Sequence, residues 1–220
     1  MVVFFINKLK VTIAISIWVW YYVYMKIIFA SNNRKKIEQV KKYFYFADVV
    51  GLKEYDINID VEETGKTFKE NALLKARAIH KLTNEIVISD DSGLCINEYD
   101  GWPGVYTHRF LGDNSTETER NDYILEKMKD LPRERRGASV VCAIALVYDD
   151  KELIFEESYD SFITTQKLGN NNFGFDEIVE APNHKDSIAC LSDEEKLKIN
   201  ARSMALSKTA EYLKGQFNFD

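Results

Sequence analysis

Lys26-Ile27-Ile28-Phe29-Ala30-Ser31-Asn32-Asn33-Arg34-Lys35-Lys36 passes from an apolar run, through a polar turn, into a basic segment. Just beyond it Ile37, Val40 and Phe44 fall at i, i+3 and i+7. A short apolar run reads as a buried strand, and the later spacing reads as one face of a helix. The stretch therefore predicts a strand over Lys26–Ala30, a turn over Ser31–Asn33 and then a helix. This unit sets the class: α/β.

Working outward, Tyr55–Val61 alternates like a strand. Thr67 and Glu70 form a capping box that opens a helix through about Leu82. Ile86–Ser89 predicts a strand that ends in Asp90-Asp91-Ser92-Gly93, read as a turn, and Leu94–Glu98 predicts another strand, stopped by Asp100-Gly101-Trp102-Pro103-Gly104. A second box, Thr116 and Glu119, opens a helix to about Lys129. Two β-rich runs, Ala138–Tyr148 and Leu153–Thr165, flank Asp149-Asp150 and predict an antiparallel hairpin. A third box, Ser192 and Glu195, opens a last helix whose apolar stripe is Ile199, Leu206 and Leu213. The sum is a mixed sheet rather than a strict βαβ repeat.

Composition narrows the function classes. The chain has 220 residues, 45% of them hydrophobic, enough for a globular core. It carries 29 basic and 35 acidic residues, net −6, which argues against a general nucleic-acid binder and leaves room for a local basic pocket holding a phosphorylated ligand. Cys95, Cys142 and Cys190 are odd in number and far apart, as expected of reduced thiols in a cytoplasmic protein. His80, His108 and His184 have no metal-site spacing and receive no role. Residues 11–25 are uncharged and follow Asn7-Lys8-Leu9-Lys10. The run is shorter than the ~18–20 residues of a spanning helix, and no small-x-small cleavage site follows it. Three readings of residues 1–24 stay open: a dispensable or mis-assigned leader, a membrane anchor or targeting segment, and a folded addition. Membrane association is expected only under the second. Residues 25–220 form the functional domain.

Four segments could carry chemistry. Ser31, Asn32, Asn33, Arg34, Lys35 and Lys36 place backbone N–H groups and cations at a helix N-terminus, where an anion would bind; the alternative is a solvated basic first turn. Asp90-Asp91 could hold a hard divalent cation such as Mg²⁺, and one carboxylate could accept a proton from water; the alternative is an Asx-turn or a cap. Glu62-Glu63-Thr64-Gly65 supplies further carboxylates or a plain acidic turn. Gly169–Asp176, with Phe173, Gly174, Phe175 and Asp176, could clasp a flat ring or be an ordinary Gly/Asn loop. Lys196 and Arg202, taken alone, read as solvated charges.

Five motifs in order carry a resemblance. Ala30-Ser31-Asn32-Asn33-Arg34-Lys35-Lys36 looks like A-T-G-N-x-x-K, and Glu63-Thr64-Gly65-Lys66-Thr67-Phe68-Lys69-Glu70-Asn71-Ala72, continued by Lys75-Ala76, looks like E-T-G-x-T-F-x-E-N-A. Ser89-Asp90-Asp91-Ser92-Gly93-Leu94 looks like A-D-D-S-G-L, Gly101-Trp102-Pro103-Gly104-Val105-Tyr106 like G-x-P-G-V-Y, and Phe173-Gly174-Phe175-Asp176 like F-G-Y-D. Over residues 25–214 the chain resembles the inosine triphosphate pyrophosphatase (Ham1-like) family. The resemblance implies an elongated mixed sheet with helices on both sides and two lobes around a nucleotide cleft. It implies Mg²⁺-dependent hydrolysis of ITP, dITP or XTP to monophosphate and pyrophosphate, with Mn²⁺ as the substitute ion, and a homodimer. It implies Ser31–Lys36 on the substrate with Lys36 on the triphosphate, Asp91 as a metal-linked general base, Ser92 as a substrate contact and Glu63 as a metal carboxylate. Phe173, Gly174, Phe175, Asp176, Lys196, Ala201 and Arg202 would hold the nucleotide. The reading requires Asp91 and Glu63 to meet Lys36 around one cleft, with Asp90 as a possible helper. The alternatives are a pyrophosphatase for other modified nucleotides and a catalytically silent nucleotide binder.

Two positions depart from the family pattern. Asn200-Ala201-Arg202 stands where S-H-R is usual, so Ala201 lacks the polar atoms of a His, while Asn200 can replace Ser as a cap. Asn32 stands where the family has Gly, and Asn suits that place if the backbone there requires φ > 0.

Overall fold

The computed structural model describes residues 25–170, 173–182 and 185–217. The three readings of residues 1–24 lie outside the described residues, among which no helix is long and apolar enough to cross a membrane. The opening unit is as expected: strand β1, Met25–Phe29, turns into helix α1, Arg34–Tyr43. The next strand is not Tyr55–Val61 but β2, Ala47–Gly51, parallel to β1 in register Met25↔Ala47 to Phe29↔Gly51. The alternation of Tyr55–Val61 misleads because the chain first coils. Tyr55 N–H and Ile57 N–H both return to the Leu52 carbonyl, at 3.2 and 2.9 Å, and Asp56 is left-handed at φ 58. Ile57 then packs inward while Ile59 is exposed.

Helix α2, Phe68–Thr83, starts on the expected Thr67/Glu70 capping box. It leads into β3, Ile86–Ile96, where the expected turn is overturned. Residues Val87 to Ile96 pair without interruption against β5, Gly137–Tyr148. Gly93 serves close approach, not a turn: a Cβ there would sit 2.3 Å from Thr107 Oγ1 and 2.7 Å from the Gly104 carbonyl oxygen. The short β4, Trp102–Pro103, pairs with the far end of β3. Helix α3, Glu117–Lys127, opens on the second capping box. β5 and β6, Lys151–Phe162, form the expected hairpin around Asp149-Asp150.

The last helix is two helices, α4, Asp193–Ile199, on the third capping box, and α5, Ala201–Phe217. Asn200 breaks them with an extended ψ of 126, and its Oδ1 accepts from Arg202 N (2.8 Å) and Ser203 N (3.4 Å). The capping role read for Asn200 is therefore what divides the stripe. Ile199 serves one core, and Leu206 and Leu213 another.

The sheet order is β2-β1-β3-β5-β6, with β4 beside β3; β2, β1 and β3 are parallel and the rest antiparallel. Helices α1 and α5 cover one face, over Phe29, Ile88 and Ile144. Helix α2 covers the other, over Ile28, Val87 and Ala145. β1 and β2 have 5 residues each, whereas β3, β5 and β6 have 11, 12 and 12. The long strands outrun the short ones and carry a further core of Leu94, Ile96 and Ala138 against Ile124 and Met128 of α3. Arg136, only 2% exposed, joins that lobe by donating to the carbonyls of Met128, Ile163 and Thr164. The expected two-lobed, mixed sheet is thus a consequence of unequal strand lengths, and a crevice opens where β1 stops.

Candidate functional site

The carboxyl ends of parallel strands are where α/β sheets leave room for ligands. At this end the Ser31–Asn33 turn is tightly tied. Ser31 Oγ accepts from Asn33 N (3.1 Å), and Asn33, the N-cap of α1, accepts from Lys36 N (3.3 Å). Asn32 does not adopt positive φ. Its Oδ1 instead accepts from Lys53 N at 3.1 Å, tying this turn to the chain after β2. The first turn of α1 has no acidic residue to offset Arg34, Lys35 and Lys36. Lys36 turns inward, Lys35 lies 5.6 Å over the Phe173 ring, and Arg34 is exposed and lines neither cavity described below.

Because β3 is unbroken, Asp90 and Asp91 point to opposite faces of the sheet. Asp90 faces α1 and α5. Its Oδ2 accepts from Lys36 Nζ (3.0 Å) and from Arg202 Nε (3.0 Å) and Nη2 (2.8 Å), and Arg202 Nη2 also donates to Ser92 Oγ (2.8 Å). Burial by itself would raise the Asp90 pKa, but the charges of Lys36, Arg202 and Lys75 outweigh it and hold the carboxyl well below the usual range. Lys36 therefore pairs directly with Asp90, the residue read as a helper, while Asp91 points to the other face of the sheet.

Asp91 faces α2, where Asn71 and Lys75 lie one turn apart. Its Oδ1 accepts from Ser92 N (3.0 Å), while its Oδ2 is buried with no hydrogen-bond partner. Burial, with help from Glu63 and Asp90, raises its pKa to about 6 against the opposing pull of Lys75 and the Asn71 amide. Glu63 is held by Lys75 Nζ (2.5 Å) and Arg109 Nη1 (2.8 Å). Burial would raise the Glu63 pKa; these two cations lower it. The E-T-G turn owes its position to Asn71, whose Oδ1 accepts from Gly65 N (2.8 Å). A Cβ on Gly65 would lie 2.6 Å from that oxygen.

Two cavities flank this arrangement. One is lined by Lys36, Ser92, Phe173, Asp176, Ala201 and Arg202, over a floor that includes Val141, Cys142 and Tyr159. Its aromatic loop is held by Asn121 of α3, whose Nδ2 donates to the Gly174 carbonyl (3.1 Å). Burial raises Asp176 to about 6 despite Lys196, whose Nζ is 3.7 Å away. Lys196 is not a solvated charge: its Nζ is buried without a hydrogen bond and stands behind Asp176. The second cavity is polar and takes in Ser31, Asn32, Glu63, Lys75 and Arg109. The expected site residues thus gather at one end of the sheet but divide between its two faces. Sequence reading missed Lys75 and Arg109, which hold Glu63, and His108 and Glu117, which also line the first cavity. Lys75 had a readable signal, the i,i+4 spacing from Asn71 on a helix; the other three lay in loops or at a helix start and had none.

No group of three or more His, Cys, Asp or Glu side chains that could hold a metal occurs among the described residues. Mg²⁺ needs fewer, since it is commonly held by one or two carboxylates completed by water and phosphate oxygens. The buried, unpaired Asp91 Oδ2 beside Glu63 fits that pattern, because a buried carboxylate oxygen without a donor favours a cation.

The fold and site define a two-lobed mixed α/β protein with paired cationic and carboxylate side chains around a strand-end crevice. Residues 27–212 match the model of the Ham1 family. The chain is 39% identical over 191 residues to a dITP/XTP pyrophosphatase of Thermoanaerobacter pseudethanolicus, covering 86% of this chain and 96% of that one. The structure of the Staphylococcus aureus Ham1 protein matches with a TM-score of 0.81 at 36% identity, over 87% of this chain and 99% of that one. A HAM1 protein from Coxiella burnetii matches with a TM-score of 0.80 at 34% identity, over 87% and 99%. This chain belongs to the Ham1 family.

Proposed function

We propose that the protein hydrolyses non-standard purine nucleoside triphosphates (ITP, dITP and XTP) to the monophosphate and pyrophosphate. The observation that carries this is Asp91: a buried carboxylate with a pKa of about 6 and one unpaired oxygen, set beside Glu63 and Lys75 at the end of β1. Substrates of this kind are named for the relatives at this level of identity.

The base and sugar occupy the cavity of the aromatic loop, and the triphosphate runs past the end of β1 toward the polar cavity. Asp176 accepts the N1–H that hypoxanthine and xanthine present. Adenine has an acceptor there, and that mismatch leaves buried groups unpaired. Lys196 positions Asp176 from behind. Lys36 serves the phosphates, and Arg202 holds Asp90 and Ser92 in place around them. Asp91 orients a water and takes its proton as the water oxygen bonds to the α-phosphorus. The bond to the bridging oxygen breaks, and pyrophosphate leaves with the electron pair. Asp91 and Glu63 would hold Mg²⁺, which when bound offsets charge on the phosphate oxygens. Lys75 and Arg109 keep Glu63 ionised. The family resemblance also implies a homodimer, which analytical ultracentrifugation tests.

The deciding experiment measures pyrophosphate release from ITP, dITP, XTP, ATP and GTP with Mg²⁺. Release from the first three in preference to ATP supports the reading. Saturable ITP binding without release from any of them overturns it in favour of a silent binder, and release only from other modified triphosphates moves the substrate class.

A further inference from the structure

His108 carries no part of the scheme above, yet it lines the cavity assigned to the base and sugar. Its side chain is exposed to that cavity, and its ring makes no hydrogen bond to the described residues; only its backbone carbonyl is engaged, by Arg120 at 3.4 Å. Its position along the chain places it at a boundary. Thr107 and His108 line the aromatic-loop cavity, whereas Arg109 lines the polar cavity and grips Glu63. The segment is fixed there: Thr107 Oγ1 accepts from Leu94 N of β3 at 3.1 Å and donates to the Gly104 carbonyl at 2.6 Å. A ligand whose base lies in the first cavity and whose phosphates lie in the second has its pentose at the boundary. Nearby Ala201 offers that cavity no polar side-chain atom.

We propose that His108 is a specificity-determining residue that hydrogen-bonds a hydroxyl of the substrate pentose. This rests on the nucleotide reading above. The ring is suited to the role because it is neutral. The protein mass around it, together with Lys36, Arg120 and Arg202, lowers its pKa to about 4 against the opposing effect of Asp90. A neutral imidazole offers one donor and one acceptor, as a hydroxyl does, so the two match in either direction. A charged side chain at this boundary would compete with Lys36 for the phosphates instead.

The test compares His108→Ala and His108→Gln with the wild type on ITP and on 2′,3′-dideoxyinosine triphosphate, which has no pentose hydroxyl. For ITP, His108→Ala should lower kcat/KM about five- to tenfold, mainly through KM, as expected for one neutral hydrogen bond. The dideoxy substrate should show less than a twofold change, and His108→Gln should recover most of the loss on ITP. An equal loss on both substrates, or no loss on ITP, overturns the assignment. Unchanged melting temperatures in both variants exclude a folding effect. Wild-type turnover of ITP is the separate control: its absence overturns the hydrolase reading, whereas its presence with no His108 effect overturns only this inference.

Discussion

Asp90 and Asp91 are the same side chain at consecutive positions of one strand, and the fold puts them in opposite electrical states. Asp90, on the α1 and α5 face, gives one oxygen to three donor atoms and is held ionised. Asp91, on the α2 face, keeps one buried oxygen unpaired and has its pKa raised to about 6. Burial acts on both in the same direction, so the difference comes from the number of cations each meets. The paired carboxylate is an anchor between helices, and the unpaired one is available for a proton, a water or a cation.

The sharpest way to break this contrast is to neutralise each carboxylate in turn. Asp91→Asn should reduce kcat on ITP by about 10²–10⁴-fold, the usual range for a lost general base, while nucleotide binding persists. Turnover within a factor of three of wild type would remove Asp91 from the chemistry. Asp90→Asn should act chiefly on the fold. It leaves Lys36 and Arg202 without their shared partner, and breaking a buried ion pair costs about 3–5 kcal/mol, to be read from urea denaturation. A loss below about 1 kcal/mol would show that the pair is not an anchor.

Titration sharpens the comparison further. In chelator, the raised pKa of Asp91 means that the folded state binds a proton more readily than the unfolded chain. Stability should therefore rise as pH falls from about 7 to about 4.5, by on the order of 2–3 kcal/mol at most. Asp90 has the opposite sign, since its depressed pKa keeps its contribution intact down to about pH 4, the unfolded value, and loses it only below. Asp91→Asn should remove the Asp91 share of the rise, leave the similar share of Asp176, whose pKa burial also raises to about 6, and be the more stable protein at pH 7; an undiminished rise in this variant would assign it elsewhere. The smallest effect concerns the neighbouring cap. Asn200→Ala should cost about 1 kcal/mol by removing the acceptor for Arg202 N and Ser203 N, and an unchanged melting temperature would show that the α4–α5 break needs no cap.

Local signals were legible where a single segment decides its own structure. All three capping boxes stand where the spacing of Ser or Thr and Glu put them, because those hydrogen bonds are made within one turn. The hairpin at Asp149-Asp150 was legible for the same reason. Asp90-Asp91-Ser92-Gly93 was not. Its polar residues and glycine look like a turn, but they lie in the middle of a strand because Lys36, Arg202 and Lys75, up to 112 residues away, supply the charges that make burial tolerable. Gly93 was misread likewise: Thr107 and Gly104 require it, and no nearby residue reveals that.

From the amino-acid order alone followed the α/β class, the helix starts, the hairpin and the set of motifs that marks the family. Each depends on hydrogen bonds or apolar spacing within a few residues, which composition and period encode. Only the folded chain decided that adjacent aspartates serve different faces, that Lys36 belongs to Asp90 and Lys75 to Glu63, and that His108 lines the aromatic-loop cavity. Strand alternation and the end of β1 settle those matters, and charge energies depend on distances in space that sequence separation does not record.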